Sequence, residues 1–209
     1  MRSEYELSVF INCPFDAAYR KLFHAIIFTA HDCGYIARSA LELTDTSQVR
    51  VNKILKIISQ CRIGIHDISR TELDAKSKLP RFNMPLELGM FLGAKEYGNK
   101  TQRRKICLVL DRSRDRYQRF CSDIAGQDIA AHDRKIPIAI NAVRDFLRSA
   151  APSNVLIPGA RRIEQRYATF CAALPAFCRA LGQSKDKLTF RDYTTFVARW
   201  LKHHPKPSG

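Results

Sequence analysis

Leu7-Ser8-Val9-Phe10-Ile11-Asn12 is an apolar run of strand length, and it stops at the loop-forming segment Cys13-Pro14-Phe15-Asp16. Apolar residues then recur at the spacing of a buried helix face, namely Tyr19, Leu22, Phe23, Ile26 and Ile27. The chain therefore begins with a strand, a loop and a helix.

The same alternation continues along the chain. Further strands are predicted at residues 35–41, 61–68 and 105–110, with helical patterns between them at 49–58 and from Asn83 onwards. Alternating strands and helices predict an α/β fold: a flavodoxin-like parallel sheet with helices on both faces. Three more helical patterns, at 138–149, 160–181 and 190–203, follow the last strand. The turn Ala151-Pro152-Ser153-Asn154 marks the predicted boundary between an α/β domain at 1–150 and a C-terminal helical extension at 151–209.

Polar residues collect at one edge of this predicted sheet. In parallel sheets ligands bind beyond the carboxyl ends of the strands. Asn12, Cys13 and Pro14 leave the first strand there, and Asp67 leaves the third. The helix that follows the third strand should begin on the same edge, so three segments are expected to build one site.

That helix carries the most informative carboxylate. In Phe82-Asn83-Met84-Pro85-Leu86-Glu87-Leu88-Gly89, Asn83 and Pro85 mark a helix start, which places Glu87 in the first turn. The helix dipole there favours negative charge, so we expect Glu87 to be ionised at the edge of the core and suited to act as a nucleophile. The alternative is that Glu87 only caps its helix.

These motifs resemble those of the superfamily that contains the nucleoside 2-deoxyribosyltransferases and the Toll/interleukin-receptor (TIR) domains. The similarity covers roughly residues 5–111 and includes Pro14-Phe15-Asp16, Asp67-Ile68-Ser69 and Pro85-x-Glu87-Leu88-Gly89. The resemblance implies that Glu87 is the catalytic carboxylate, that Asp67 contacts the sugar or base, and that Pro14 and Phe15 line the pocket. It also implies cleavage of an N-glycosidic bond, with NAD⁺ as the favoured substrate, in a bacterial stress or antiviral defence effector.

The residues themselves allow matching roles. Asn12 or Asn83 could bond an amide or a base edge, Phe15 could stack on the base, and Arg38 could contact a phosphate, with packing and solvated charge as the alternatives. Cys13 is expected to line the pocket rather than to react, because neither sequence neighbour is an activating base. No cofactor beyond substrate NAD⁺ is expected, and no metal, since no Cys or His spacing typical of a metal site occurs.

Composition limits the remaining choices. The 209-residue chain has seven scattered cysteines, no apolar run long enough to span a bilayer and no signal-peptide pattern at its start, so we expect a cytoplasmic protein with reduced thiols and no membrane contact. Residues 1–100 carry 14 Lys and Arg against 11 Asp and Glu, so 12 of the 15 net positive charges lie in residues 101–209. Arg161, Arg162 and Arg166 share one predicted helical face there. A basic surface of this kind can bind nucleic acid, but solvated surface charge is the favoured interpretation.

Two functions from different classes remain open. The first is an enzyme acting on a nucleotide or nucleoside through Glu87. The second is a module that senses a nucleotide without turning it over, or that docks on nucleic acid. Glu87 and its polar surroundings favour the enzyme, whereas the lack of an Asp in Arg81-Phe82-Asn83, where deoxyribosyltransferases carry one, favours the sensor. The sequence is compatible with hydrolysis and with transfer, and with a monomer or a homo-oligomer.

Overall fold

The computed structural model describes residues 2–74 and 78–205. Its five strands form one sheet in the order β2-β1-β3-β4-β5, and every neighbouring pair is parallel. The strands are β1 (Ser8–Asn12), β2 (Ile36–Arg38), β3 (Ile63–Asp67), β4 (Ile106–Asp111) and β5 (Ala130–Ala131). The order reverses between β1 and β3, which is the switch point where such sheets bind ligands. The predicted α/β, flavodoxin-like fold is confirmed.

Seven α-helices are described. They are α1 (Glu4–Leu7), α2 (Arg20–Asp32), α3 (Arg50–Gln60), α4 (Asn83–Tyr97), α5 (Ile136–Ala150), α6 (Ala160–Ala180) and α7 (Phe190–His203). None of the helices in the described ranges is both long and apolar enough to cross a bilayer.

Side chains from successive strand residues enter different cores on the two faces of the sheet, as the pleat requires. Val9 and Ile11 of β1 pack with α2 and α5, whereas Phe10 packs with α3 and with Phe91 of α4. Leu108 of β4 likewise joins the first core, and its neighbour Val109 contacts the start of α4. Helices therefore cover both faces, and the sheet is buried between them.

Two strands differ from their predicted extents. β2 ends at Arg38, because Ala40–Glu42 forms a short 3₁₀ turn closed by the Ser39 side chain. β5 was not predicted at all. It has only two residues, and polar segments flank it, so the sequence carries no strand-length apolar run there.

The C-terminal helices pack against α2 and share its hydrophobic core. Phe28 of α2 lies with its ring centroid 5.4 Å from that of Phe170 and 5.8 Å from that of Trp200. Buried Arg166 donates from Nε to both carboxylate oxygens of Asp32, at 3.2 and 3.0 Å, and from Nη2 to the carbonyl of His204 at 2.7 Å. Arg166 therefore belongs to the core, and the predicted basic face with Arg161 and Arg162 is wrong for this residue. The division of the chain at residue 150 stays a prediction.

Candidate functional site

The carboxyl end of β1 is tied directly to the start of α4. The Asn12 side chain donates from Nδ2 to the carbonyl of Met84 at 2.9 Å, and the same nitrogen lies 3.1 Å from Nδ1 of His66. Asn12 is almost completely buried. Its side-chain nitrogen Nδ2 therefore anchors α4 to the sheet. The predicted contact of Asn12 with a base edge would have to use its side-chain oxygen Oδ1.

Glu87 lies in the second turn of α4, not in the first as predicted. The helix begins at Asn83, two residues before Pro85, and no acidic residue occupies its first turn. Proline is tolerated at the third helical position because the amides of the first turn have no partner inside the helix. Glu87 is therefore beyond the exposed amides, and the helix dipole acts on it only weakly.

The carboxyl of Glu87 is buried without a hydrogen-bond partner for one of its oxygens. The residue is 5% exposed, and among the described residues nothing hydrogen-bonds to Oε2. Burial raises the pKa of Glu87 from its ordinary value of 4.5 to about 7, with the nearby Arg50 acting in the opposite direction. Burial thus shifts Glu87, which the sequence predicted to be ionised, towards its neutral form. A buried carboxyl with a shifted pKa in a pocket is typical of a functional site.

A pocket of about 120 Å³ lies over Glu87. Three arginines from three different segments line it: Arg50 from the start of α3, Arg70 from the loop after β3, and Arg81 from the segment before α4. Arg70 pairs with Asp16 at 3.3 Å, whereas Arg50 forms no ion pair with a described residue. The pocket therefore combines one buried carboxyl with a cationic rim, which suits an anionic ligand.

Asp67 does not line this pocket. The carboxylate is fully buried, accepts a very short hydrogen bond from the Tyr19 hydroxyl, and accepts another from the amide of Ser69 at 2.8 Å. Nε2 of His132 lies 2.9 Å from the same carboxylate, although its N–H is not aligned for a full hydrogen bond. Nδ1 of His132 accepts from the amide of Arg134 at 2.9 Å, so a neutral ring carries its hydrogen on Nε2, the nitrogen near Asp67. The Asp67 carboxylate thus has protein partners, and its predicted contact with a sugar or base stays a prediction.

The other predicted site residues divide into two groups. Cys13, Pro14, Phe15 and Asn83 line the Glu87 pocket together with Asn12. Burial, with Asp67 and Glu87 nearby, raises the pKa of the Cys13 thiol well above its usual value, so the group is a neutral thiol and a poor nucleophile. Arg38 does not line the pocket, because its guanidinium is held by Glu42 and Gln60.

Several lining residues were not among the predicted site residues. Asp16 occupies the loop after β1, and its place in Pro14-Phe15-Asp16 was the available signal. Arg50 and Arg81 carry no such signal, because they reach the pocket only through the packing of α3 and α4. Tyr19 and His132 are brought to Asp67 from separate parts of the chain in the same way.

Comparison of the chain with protein-family models, curated proteins and solved structures gave no match. Within residues 2–74 and 78–205, no group of three or more His, Cys, Asp or Glu side chains is placed to hold a metal ion.

The raised pKa predicts how Glu87→Gln changes stability with pH. The folded protein holds the Glu87 proton more tightly than the unfolded chain does, so this residue favours folding below pH 4.5 and opposes it as pH rises through about 7. The rise in pKa corresponds to roughly 3 kcal/mol in the free energy of unfolding above about pH 8. Glu87→Gln should therefore match the parent protein at pH 4.5 and exceed it in urea denaturation at pH 8.

Glu96→Gln is the control, because Glu96 lies on the exposed side of the same helix. The difference in the free energy of unfolding between Glu96→Gln and the parent protein should therefore not change with pH. A constant difference for Glu87→Gln as well would show that Glu87 is not held in its neutral form by burial.

Proposed function

We propose that the protein cleaves the N-glycosidic bond of a nucleotide, with NAD⁺ as the favoured substrate and Glu87 as the carboxylate that meets the anomeric carbon. The observation that carries this proposal is that Glu87 lines an arginine-lined pocket with a nearly buried carboxyl, one oxygen of which has no hydrogen-bond partner among the described residues. The resemblance to deoxyribosyltransferases and TIR domains supports the same reaction. A role as a bacterial defence effector rests on that resemblance alone.

The reaction can be written with this one carboxylate. An ionised Glu87 oxygen forms a bond to C1′ of the ribose as the C1′–N bond breaks, and the bonding electrons leave with nicotinamide as a neutral molecule. Water then attacks C1′, the Glu87 carboxylate is released, and one proton passes to solvent. The products are nicotinamide and ADP-ribose. If Glu87 stabilises an oxocarbenium-like state without bonding, the overall balance is unchanged.

NAD⁺ suits the site because its leaving group needs no proton. The buried carboxylate of Asp67 contacts Tyr19, Ser69 and His132, and Asp16 is paired with Arg70. A neutral nucleoside base would need a general acid in order to leave, whereas nicotinamide departs from a cationic linkage. The arginines also offer bidentate donors to the phosphates of a nucleotide.

The pH dependence of base release distinguishes two roles for Glu87. A nucleophile must be ionised, and with a pKa of about 7 the ionised fraction rises from about one tenth at pH 6 to about nine tenths at pH 8. We therefore expect kcat/KM for nicotinamide release from NAD⁺ to rise over this range and then level off. A rate that instead falls through pH 7 would make Glu87 a proton donor and point to nucleosides with neutral bases.

A binding module is the second candidate, and the burial of Asp67 favours it. With that carboxylate engaged, the pocket holds fewer groups that can assist chemistry. Such a module would bind NAD⁺ or ADP-ribose in calorimetry and release no free base on prolonged incubation. Release that depends on Glu87 would exclude it.

A further inference from the structure

A second pocket adjoins the Glu87 pocket on the opposite face of the sheet. Its volume is about 310 Å³, and it lies between the turn that precedes α2, the loop after β3 and the start of α5. Pro14, Asp16 and Arg70 line both pockets. The two spaces therefore meet at the Asp16–Arg70 ion pair, at the carboxyl ends of β1 and β3.

The second pocket has apolar walls and a charged margin. Its apolar walls come from Ala18, Leu22 and Ile136, beside the ring of Tyr19, whose hydroxyl is fixed on Asp67. Its margin carries Lys21 and Arg134 in addition to Arg70. Lys21 forms no ion pair with any residue in the described ranges, so its ammonium group is available to a ligand.

Glu72 and Asp16 are the carboxylates of this margin. Glu72 contacts the guanidinium groups of Arg70, Arg112 and Arg134, so it is held in place by three cations. Carboxylates fixed in this way can accept hydrogen bonds from the hydroxyls of a ribose. The pocket thus offers surfaces for a base, for a sugar and for phosphate.

We propose that this second pocket binds the phosphate-bearing nucleoside half of a dinucleotide, while the Glu87 pocket holds the sugar whose bond is cleaved. The inference rests on the proposed function of Glu87 and specifies its substrate class. The Glu87 pocket, at about 120 Å³, is well below the roughly 300 Å³ at which ligand pockets usually begin, whereas the second pocket reaches that size. Arg70 stands where the bridging phosphates would pass from one space to the other.

The test uses ADP as the probe, with adenosine for comparison, and Glu87→Gln as the non-reacting parent protein. In this background Ala18→Trp places an indole in the second pocket. Ala17→Trp is the matched control, because Ala17 and Ala18 are both exposed in the same turn but Ala17 lines neither pocket. By isothermal titration calorimetry, Ala18→Trp should weaken ADP binding at least about tenfold and Ala17→Trp should leave it unchanged.

A charge variant separates phosphate recognition from filling of the pocket. Lys21→Gln should weaken ADP binding by about tenfold, the worth of one charge-assisted contact, and leave adenosine binding unchanged. Equal affinity of ADP for the two tryptophan variants, or no ADP binding to the Glu87→Gln protein, would overturn the inference.

A kinetic comparison keeps this inference separate from the proposed chemistry. With Glu87 present, Ala18→Trp should raise KM for NAD⁺ and leave KM for nicotinamide riboside unchanged. If the protein releases base from both substrates and Ala18→Trp changes neither KM, the proposed function of Glu87 stands and the role of the second pocket is rejected. If the protein releases no base but binds ADP, and Ala18→Trp abolishes that binding, the second pocket stands and the proposed function of Glu87 is rejected.

Discussion

Glu87→Gln is expected to reduce the release of nicotinamide from NAD⁺ by about a thousandfold or more, because an uncharged amide can neither trap nor stabilise the developing charge at C1′. Glutamine keeps the shape of the side chain. The carboxyl that it replaces has one oxygen without a hydrogen-bond partner among the described residues. The loss should therefore appear in kcat rather than in the folded fraction, measured by initial rates at pH 8.

Two comparisons make this result specific. Glu96→Gln, on the exposed side of α4, should retain the parent rate. Glu87→Gln should also retain binding of ADP-ribose. If it instead keeps most of its activity, the chemistry belongs to another group, and Asp16 would be the next residue to replace because it lines the same pocket.

Arg166→Met should destabilise the protein by about 3–5 kcal/mol, since it removes the cation that faces the buried carboxylate of Asp32. Arg166 also donates to the carbonyl of His204 at the end of α7 and lies 5.3 Å from the ring centroid of Trp200. Without this pair the C-terminal helices should be held to α2 mainly by their shared hydrophobic core. Urea denaturation followed by circular dichroism gives the change in the free energy of unfolding.

Arg162→Met is the matched control, because Arg162 is an exposed residue on the same helix and should change stability by no more than about 0.5 kcal/mol. Equal stability of the two variants would show that the Asp32 pair does not hold the extension. The burial of Arg166 also affects the design of any test of nucleic-acid binding. Charge reversal of the basic surface should be confined to Arg161 and Arg162, because reversal at Arg166 would disrupt the core.

The sequence determined the fold because strands and helices are encoded by patterns within short stretches of neighbouring residues. Apolar runs of strand length and apolar residues at helical spacing identified β1, α2, β3 and α4 in order, and this alternation leaves few topologies other than a parallel sheet. The same reasoning brought Asn12, Cys13, Pro14 and Glu87 to one edge, because the carboxyl ends of parallel strands lie together.

Tertiary structure decided which of these polar groups are free to meet a ligand. Asp67 follows β3 as predicted, yet Tyr19 and His132 reach it from separate segments and engage it. Arg166 shares a helical spacing with Arg161 but packs against Asp32. Spacing along a chain reports which residues share a face, whereas burial and pairing depend on contacts between distant segments. The raised pKa of Glu87, and the second pocket that meets the Glu87 pocket at Arg70, arise from such contacts. For this reason the sequence predicted the edge of the sheet at which Glu87 lies but not the pKa of its carboxyl.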